Sequence, residues 1–269
     1  MSVVTALTAC VEGVGLLGPG LADWTAASQV LSGESPWQRV PTVLPPPERL
    51  PSAERRRTGT LVRLSLAAGL EACTRAQDDP ATLPAVIAST GGDGQICHEI
   101  CETLASADRQ LSPTRFHNSV HNAAAGYWGI ATGATRAANA LCAYDASFGA
   151  GLLEALCQVT VERTQVLLIA YDASYPEPMH AVRPIPDAFA VALVLAPVAG
   201  NATLAHLAAE RASGPADRMT DTALEALRGS IPAARSLPLL ALLARRACGR
   251  VALEYLEGAS LALEVSECR

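Results

Sequence analysis

The chain has 269 residues, of which half are hydrophobic and only 17% are charged, and its formal net charge is −6. This acidic balance excludes the basic face that nucleic-acid binders need, so we expect no nucleic-acid partner. No apolar run is long enough for a membrane span, and the N-terminus lacks the basic region of a signal peptide, so we expect no membrane span and a cytoplasmic location.

Strand and helix signals alternate along the first half of the chain. Apolar residues predict a strand over residues 3–17 that breaks at Gly13, Gly15 and Gly18. Prolines crowd residues 41–51 and predict an ordered surface loop. Helical spacing predicts helices at 21–31, 57–77 and 94–104, with Gly33 ending the first of them, and a short apolar run predicts a buried strand at 84–90.

The second half continues the alternation and closes on a hairpin. Apolar patterns predict helices at 146–162, 216–228 and 237–248, strands at 166–171, 189–196 and 203–209, and a hairpin of strands 251–256 and 260–265 around Gly258. Alternating strands and helices predict an α/β layered fold, with a mixed sheet covered by helices. The length favours one domain, residues 1–269.

The eight cysteines form no disulfide framework, and most lie in apolar runs. We expect buried free thiols in a reducing compartment. The only cluster that suggests a metal is Cys97-His98 with Cys101. On a helix the two cysteines share a face while His98 points elsewhere, and zinc needs three or four convergent ligands. The sequence therefore predicts no metal site, and nothing in it points to another cofactor.

Residues 139–159 run from a small-residue strand into a glycine-rich helix. A strand, a sharp turn and a helix are the local geometry that presents a nucleophile in many enzymes. The helix N-terminus supplies partial positive charge and free N–H groups, which lower the pKa of a thiol and hold an oxyanion.

Over about residues 1–200 the chain resembles the N-terminal half of a β-ketoacyl synthase of the thiolase-like superfamily. The residues that carry this resemblance are Val11-Glu12-Gly13-Val14-Gly15, Pro19-Gly20 and Trp24, followed by Ser112-Pro113, Phe116, Asn118-Ser119-Val120, Asn122 and Ala125-Gly126. The resemblance implies a shortened thiolase-like fold, and it implies that residues 112–130 run to a dimer interface beside the active site.

The position of the family's nucleophilic cysteine is degenerate in this chain. An ungapped count back from the strand at 166–171 places it at Asp145, and a count forward from residues 135–136 places it at Tyr144. Cys142 misses both positions, and we expect it to be a buried structural thiol. Asp145 is expected to be an N-cap of the following helix. The family's catalytic histidines have no clear counterpart, because neither His180 nor His206 lies in a glycine- or asparagine-rich loop.

The resemblance is strongest to chain-length-factor-like proteins of aryl polyene and xanthomonadin-type pathways. It implies a non-catalytic subunit that pairs with an active β-ketoacyl synthase in bacterial polyene, polyketide or fatty-acid-type chain elongation, and that meets an acyl carrier protein through the complex. The candidates for the tunnel wall or the interface are Phe116, His117, Asn118, His121, Asn122, Tyr127, Trp128 and Phe148. For Tyr127, Trp128 and Phe148, ordinary core packing is an equally good interpretation.

Two other functions remain open from the sequence. One is a cysteine-dependent acyltransferase or thioesterase that uses Cys142 with His117 or His121 as its base. The two histidines are four residues apart, which places them on one face of a helix if the segment is helical, although polar residues on a loop or interface are the simpler interpretation. The other is a self-associating scaffold without acyl chemistry.

Overall fold

One mixed eight-stranded sheet organises residues 7–267, the part of the chain that the computed structural model describes. The strand order is β3-β2-β4-β5-β1-β6-β8-β7. The strands are β1 (Leu7–Leu17), β2 (Ala85–Ala88), β3 (Ala138–Leu141), β4 (Val166–Asp172), β5 (Phe189–Ala196), β6 (Ala205–Ala212), β7 (Gly249–Leu256) and β8 (Ala259–Ser266).

Helices cover both faces of this sheet and enclose two apolar cores. Helices α3 and α6 pack on one face, and α1, α7, α9 and α10 pack on the other. The helices are α1 (Trp24–Ser32), α2 (Ser52–Arg55), α3 (Thr60–Ala76), α4 (Gly94–Ala105), α5 (Pro113–Asn118), α6 (Ala123–Thr132), α7 (Ser147–Glu162), α8 (Met179–Val182), α9 (Thr222–Ser230) and α10 (Leu237–Arg245). The predicted α/β fold with a mixed, helix-covered sheet is confirmed.

The parallel part of the sheet lies at one edge. Strand β2 pairs in parallel with both β3 and β4, whereas the other strand pairs are antiparallel. The carboxyl ends of β2, β3 and β4 therefore meet at the same border of the sheet, which is where ligands bind in open α/β sheets. Within the described residues β3 is an edge strand, since it pairs only with β2.

The predicted breaks at Gly13 and Gly15 are wrong, because β1 continues through both glycines to Leu17. The glycines serve helix packing instead. A Cβ atom on Gly13 would lie 2.2 Å from the carbonyl oxygen of Ala72, and one on Gly15 would lie 2.0 Å from that of Ala68. Helix α3 thus packs directly against the backbone of β1, which only glycine permits.

Most other predicted elements are confirmed with shifts of a few residues at their ends. The first residues of the strand predicted at 3–17 lie outside the described part of the chain. The helix predicted from residue 216 begins only at Thr222, because the carboxylate of Asp221 caps it by accepting from the N–H groups of Ala223 and Leu224 at 2.8 and 2.9 Å. Residues 41–51 contain neither helix nor strand, as their prolines predict.

Candidate functional site

The turn between β3 and α7 carries a strained residue at its apex. Tyr144 has φ of +52°, a left-handed conformation that bulky residues rarely adopt, and it opens a 3₁₀ turn that leads into α7. Its side chain is 62% exposed. A sharp, strained strand-to-helix turn is how many hydrolases display a nucleophile. Of the two positions that sequence counting left open, Tyr144 has this geometry.

The buried hydroxyl of Ser147 holds the turn in shape. Its oxygen accepts the N–H of Ala143 at 3.0 Å and lies 2.9 Å from the carbonyl oxygen of Ser89 and 2.8 Å from that of Tyr144. The N–H of Ser89 in turn donates to the carbonyl of Leu141, the last residue of β3, at 3.2 Å. These contacts tie the end of β2 to the start of α7.

Two arginines clamp the turn from the outside. The guanidinium carbon of Arg183 lies 3.7 Å from the centroid of the Tyr144 ring, and the guanidinium also pairs with Asp145. Arg235 pairs with the second carboxylate oxygen of Asp145 at 2.9 Å. Arg235 also forms an ion pair with Glu254 at 3.5 Å, and Glu254 forms a second ion pair with the buried Arg228. The turn is therefore anchored to the C-terminal hairpin by a network of ion pairs.

The prediction that Asp145 caps the helix is wrong. The residue before α7 is Ala146, and no side chain caps that helix end. Asp145 lies inside the 3₁₀ turn, where its carboxylate faces Arg183 and Arg235 rather than the first N–H groups of α7.

The structure brings Cys142 and His121 together. The Cys142 sulfur lies 2.7 Å from Nε2 of His121, and the hydroxyl oxygen of Ser89 lies 3.3 Å from the same nitrogen. The expectation of a buried structural thiol is wrong: Cys142 is exposed, because β3 is an edge strand that ends at Leu141. His117, by contrast, is an exposed residue of α5.

Both members of this pair are neutral at physiological pH. Partial burial raises the pKa of the Cys142 thiol, and the nearby charge of Asp172 adds to the rise. Burial lowers the pKa of His121. The resting pair is therefore a thiol beside a neutral imidazole rather than a thiolate beside an imidazolium.

A polar cavity of about 350 Å³ opens at the carboxyl ends of β2 and β4. Its walls include Ser89, the glycine-rich loop 90–94, Asp172 and Tyr175. Asp172 is buried and accepts the N–H groups of Thr90 and Ala233, each at 2.8 Å. Burial raises the pKa of Asp172 to about 7, against the opposing effect of these two N–H bonds and of Arg183.

The tunnel and interface candidates separate into two groups. Tyr127, Trp128 and Phe148 are core residues, each at most 2% exposed, so they contribute nothing to an outer surface of this chain. Asn118 is also buried; its amide donates to the carbonyl of Arg57 at 2.9 Å and accepts from the Tyr127 hydroxyl at 3.1 Å. The remaining candidates, Phe116, His117, His121 and Asn122, are exposed or partly exposed.

Sequence reasoning missed four residues of this site, Ser89, Asp172, Arg183 and Arg235. Asp172 and Ser89 carry a signal that was available, since each is a polar residue directly at the carboxyl end of a buried strand. Arg183 and Arg235 have no such signal in the sequence, because they contact the turn from segments that are distant along the chain.

Residues 7–267 contain neither a metal-binding cluster nor a membrane-spanning helix. No group of three or more histidine, cysteine, aspartate or glutamate side chains is placed to hold a metal ion. None of the described helices has the length and apolar character needed to cross a membrane.

Comparison with known families identifies the class. A family model described as the N-terminal domain of β-ketoacyl synthases matches residues 24–248, and the chain therefore belongs to this family. No curated protein sequence matches the chain.

Solved structures share the thiolase-like ketosynthase fold. A ketosynthase (ApeO) in complex with its chain length factor (ApeC) from Xenorhabdus doucetiae matches at 24% identity and a TM-score of 0.72, over 96% of this chain and 99% of the other. The ishigamide ketosynthase/chain length factor matches at 14% identity and a TM-score of 0.71, over 97% of this chain and 100% of the other. A complex of a type II polyketide acyl-carrier protein with its hexaketide-bound ketosynthase (AntDE:AntF) matches at 12% identity and a TM-score of 0.74, over 98% of this chain and 100% of the other.

Proposed function

We propose that this chain is a chain length factor: a ketosynthase-like subunit, with residues 1–269 as one domain, that performs no condensation itself and pairs with an active β-ketoacyl synthase. The complex would extend acyl chains held on an acyl carrier protein, in bacterial polyene, polyketide or fatty-acid-type synthesis. The observation that supports the proposal is Tyr144, with φ of +52°, at the apex of the β3–α7 turn, which we infer to correspond to the family's nucleophile turn. Cys142 lies two residues earlier, outside the strained position.

Tyr144 is unsuited to the nucleophile's role. A phenol oxygen is a much weaker nucleophile toward a thioester than the sulfur of a thiolate is. Its ring also packs against the guanidinium of Arg183, which pairs with Asp145 in the same turn. The turn therefore has the strained backbone of a turn that displays a nucleophile, but the residue at its apex is a tyrosine that packs against an arginine.

The surface beside this turn supports the proposed pairing. Among residues 7–267, β3 is an edge strand with unpaired backbone groups, which are a ready template for another chain. Large apolar side chains are exposed on α5, on the connection from α5 to α6, and on α6, which contacts β3: Phe116 is 62%, Val120 44% and Ile130 49% exposed. Exposed apolar residues around an open sheet edge are typical of a protein interface. In two of the matched structures, the chains belong to complexes of a ketosynthase with a chain length factor.

Co-expression tests the pairing. This chain is co-expressed with a tagged β-ketoacyl synthase from the same organism, and size-exclusion chromatography shows whether the untagged chain elutes with it at equal stoichiometry. An untagged chain that elutes separately as a monomer contradicts the proposal. A dimer of this chain alone would instead favour the self-associating scaffold.

An activity assay tests the non-catalytic role. The chain alone, its ketosynthase alone and the complex are each incubated with acyl- and malonyl-carrier protein. We expect extended product from the complex and none from this chain above a heat-denatured control. Multiple-turnover hydrolysis or transfer of thioesters by this chain alone, lost in Cys142→Ala, would favour the cysteine enzyme.

A further inference from the structure

A cavity of about 530 Å³ opens at the amino end of β4, at the border of the sheet opposite the β3–α7 turn. Its walls are residues 76–78 at the end of α3, residues 163–165 between α7 and β4, residues 196–202 after β5, and Glu12 of β1. None of these residues takes part in the proposed function. The cavity is therefore a separate candidate for a binding site.

A β-bulge places the charged residue Glu12 in this wall. Val11 pairs with Leu195 and Gly13 pairs with Val194, so Glu12 has no partner residue on β5. An extra residue of this kind bends the strand and re-aims a side chain. Glu12 is the only charged residue of β1, and it is 4% exposed. A carboxylate buried to this extent in a central strand requires compensating partners.

Only one of the two carboxylate oxygens of Glu12 has such partners. Oε1 accepts the N–H of Gly200 at 2.9 Å and the hydroxyl of Thr203. Within residues 7–267, Oε2 accepts no hydrogen bond, and it is not fully buried. A Cβ atom on Gly200 would lie 2.9 Å from Oε2, so the glycine leaves this oxygen open. Oε2 is therefore available to a donor that enters the cavity.

A second carboxylate and two helix ends make the cavity electronegative. Asp78 accepts the amide of Gln165 at 3.0 Å. Burial raises the pKa of Asp78 against this hydrogen bond, and the negative charge of Glu12 adds to the rise. Helices α3 and α7 both end at the cavity, at Gln77 and Arg163, so the negative ends of two helix dipoles meet there. These charges favour a cationic ligand.

The ligand's cations are ammonium groups rather than metal ions. Calcium requires six to eight oxygen ligands, and the described residues hold no cluster suited to a metal. An ammonium group has three donors and no acceptor, which suits a carboxylate oxygen that lacks a partner. Arg163 is the only basic residue in the described wall, and it forms no ion pair with Glu12 or Asp78. Both carboxylates are thus free to bind a cation from solution.

We propose that this cavity binds an aliphatic diamine or polyamine, with one ammonium group on Oε2 of Glu12 and another on the carboxylate of Asp78. The volume accommodates an extended aliphatic chain between the two groups. This site goes beyond the proposed function and does not rest on it.

The experiment is isothermal titration calorimetry of the full chain with spermidine, whose nitrogen atoms are three and four carbons apart, at low ionic strength. We expect saturable binding at one site. 1-Aminobutane, which has a single ammonium group, should bind at least about tenfold more weakly. Equal affinity for the two amines, or no saturable binding of spermidine, would overturn the proposal.

Glu12→Gln tests the unpartnered oxygen directly. Its amide keeps an oxygen for the N–H of Gly200 and the hydroxyl of Thr203, and it replaces Oε2 with a nitrogen that only donates. We expect spermidine affinity to fall at least about tenfold, with the circular dichroism spectrum unchanged. Unchanged affinity would overturn the proposal.

Three further variants separate specific contacts from general charge. Asp78→Asn should weaken binding, whereas Asp79→Asn removes the same charge from an exposed residue outside the cavity wall and should leave the affinity within about twofold. Arg163→Gln removes a repulsive charge and should strengthen binding about twofold or more, a gain that a folding defect would not produce. An equal loss in Asp78→Asn and Asp79→Asn would overturn the proposal. None of these measurements involves a ketosynthase, so their failure would leave the proposed pairing untouched.

Discussion

The guanidinium carbon of Arg183 lies 3.7 Å from the centroid of the Tyr144 ring. The same guanidinium donates to the hydroxyl of Thr90 at 2.8 Å and pairs with Asp145. One arginine thus joins the apex of the β3–α7 turn to the loop after β2. A cation–π contact of this kind contributes about 0.5–2 kcal/mol. It helps to hold a tyrosine in a backbone conformation that tyrosine disfavours.

The positive φ of Tyr144 predicts an unusual order of stability among its variants. Glycine adopts φ of +52° without strain, whereas alanine pays about 1 kcal/mol for it. Both variants lose the contact with Arg183, so that loss cancels in the comparison. We expect Tyr144→Gly to be more stable than Tyr144→Ala by about 1 kcal/mol in denaturant unfolding.

The matched control is Val161, an exposed residue of α7. There the order should be reversed, with alanine about 1 kcal/mol more stable than glycine. If Tyr144→Ala is the more stable variant at the turn as well, the left-handed conformation of the apex is contradicted.

Asp145 is expected to be sensitive to the loss of its charge. Asp145→Asn and Asp145→Ser both weaken the contacts with Arg183 and Arg235. Because the carboxylate is one-third exposed and partly screened, we expect a loss of about 1–2 kcal/mol. Thermal melts should show a fall of a few degrees, which shrinks at high salt.

A double-mutant cycle identifies the partner of Asp145. Asp145→Asn combined with Arg235→Met should cost less than the sum of the two single changes, because each removes the same ion pair. An N-cap role for Asp145 makes the opposite prediction: Asn and Ser would be silent, and the cycle would be additive.

Asp172 is expected to make stability depend on pH. Its pKa rises from 3.8 to about 7 on folding, so the folded protein binds more protons than the unfolded chain between these values. The free energy of unfolding from this group therefore falls as pH rises from about 4 to 7. Asp172→Asn removes that slope, although the amide satisfies only one of the two N–H groups and lowers stability overall.

The measurement is the difference in free energy of unfolding between wild type and Asp172→Asn across this pH range. The wild type's advantage should shrink as pH rises. Asp108→Asn, on an exposed loop, is the control and should show a constant difference. An advantage for the wild type that grows with pH would show that Asp172 is ionised throughout, with its charge fully stabilised by Thr90 and Ala233.

Close packing of α3 on β1 makes Gly15 intolerant of any side chain. Gly15→Ala would place a Cβ atom 2.0 Å from the backbone oxygen of Ala68, so the helix must shift. We expect a loss of about 3 kcal/mol or more, or failure to fold. Gly229→Ala in α9 meets nothing within 4 Å and should be neutral or stabilising by up to about 1 kcal/mol. Urea unfolding of both variants provides the comparison.

The proposed interface predicts which surface changes dissociate the complex. Phe116→Asp, or Val120→Glu beside the edge of β3, should prevent co-elution with the ketosynthase while leaving the melting temperature of this chain within a degree or two. Val161→Glu introduces the same charge on an exposed residue outside this surface and should leave co-elution intact. Retained co-elution in all three variants would place the interface elsewhere.

Sequence patterns were sufficient for the fold class and for most of the strands and long helices, because burial repeats at short, regular spacing along this chain. They did not predict α5 and α6. The strand at Phe189–Ala196 is predicted residue for residue, since an uninterrupted run of eight apolar residues is typical of a strand buried on both faces. The glycines of β1 mislead the same reasoning. Glycine is expected both at a turn and in a strand that a helix approaches closely, so the sequence does not distinguish these two structures. Only the position of α3 shows that Gly13 and Gly15 belong to the second.

The sequence by itself determined the family resemblance and the layered fold, since these depend on residue identity and local order. The tertiary structure alone decided that Tyr144 holds the apex, that Asp145 pairs with arginines, and that Cys142 is exposed beside His121. Each of these depends on contacts between segments that are 21 to 90 residues apart. Such contacts are set by how β2, β3 and β4 align their ends, and no local pattern records that alignment.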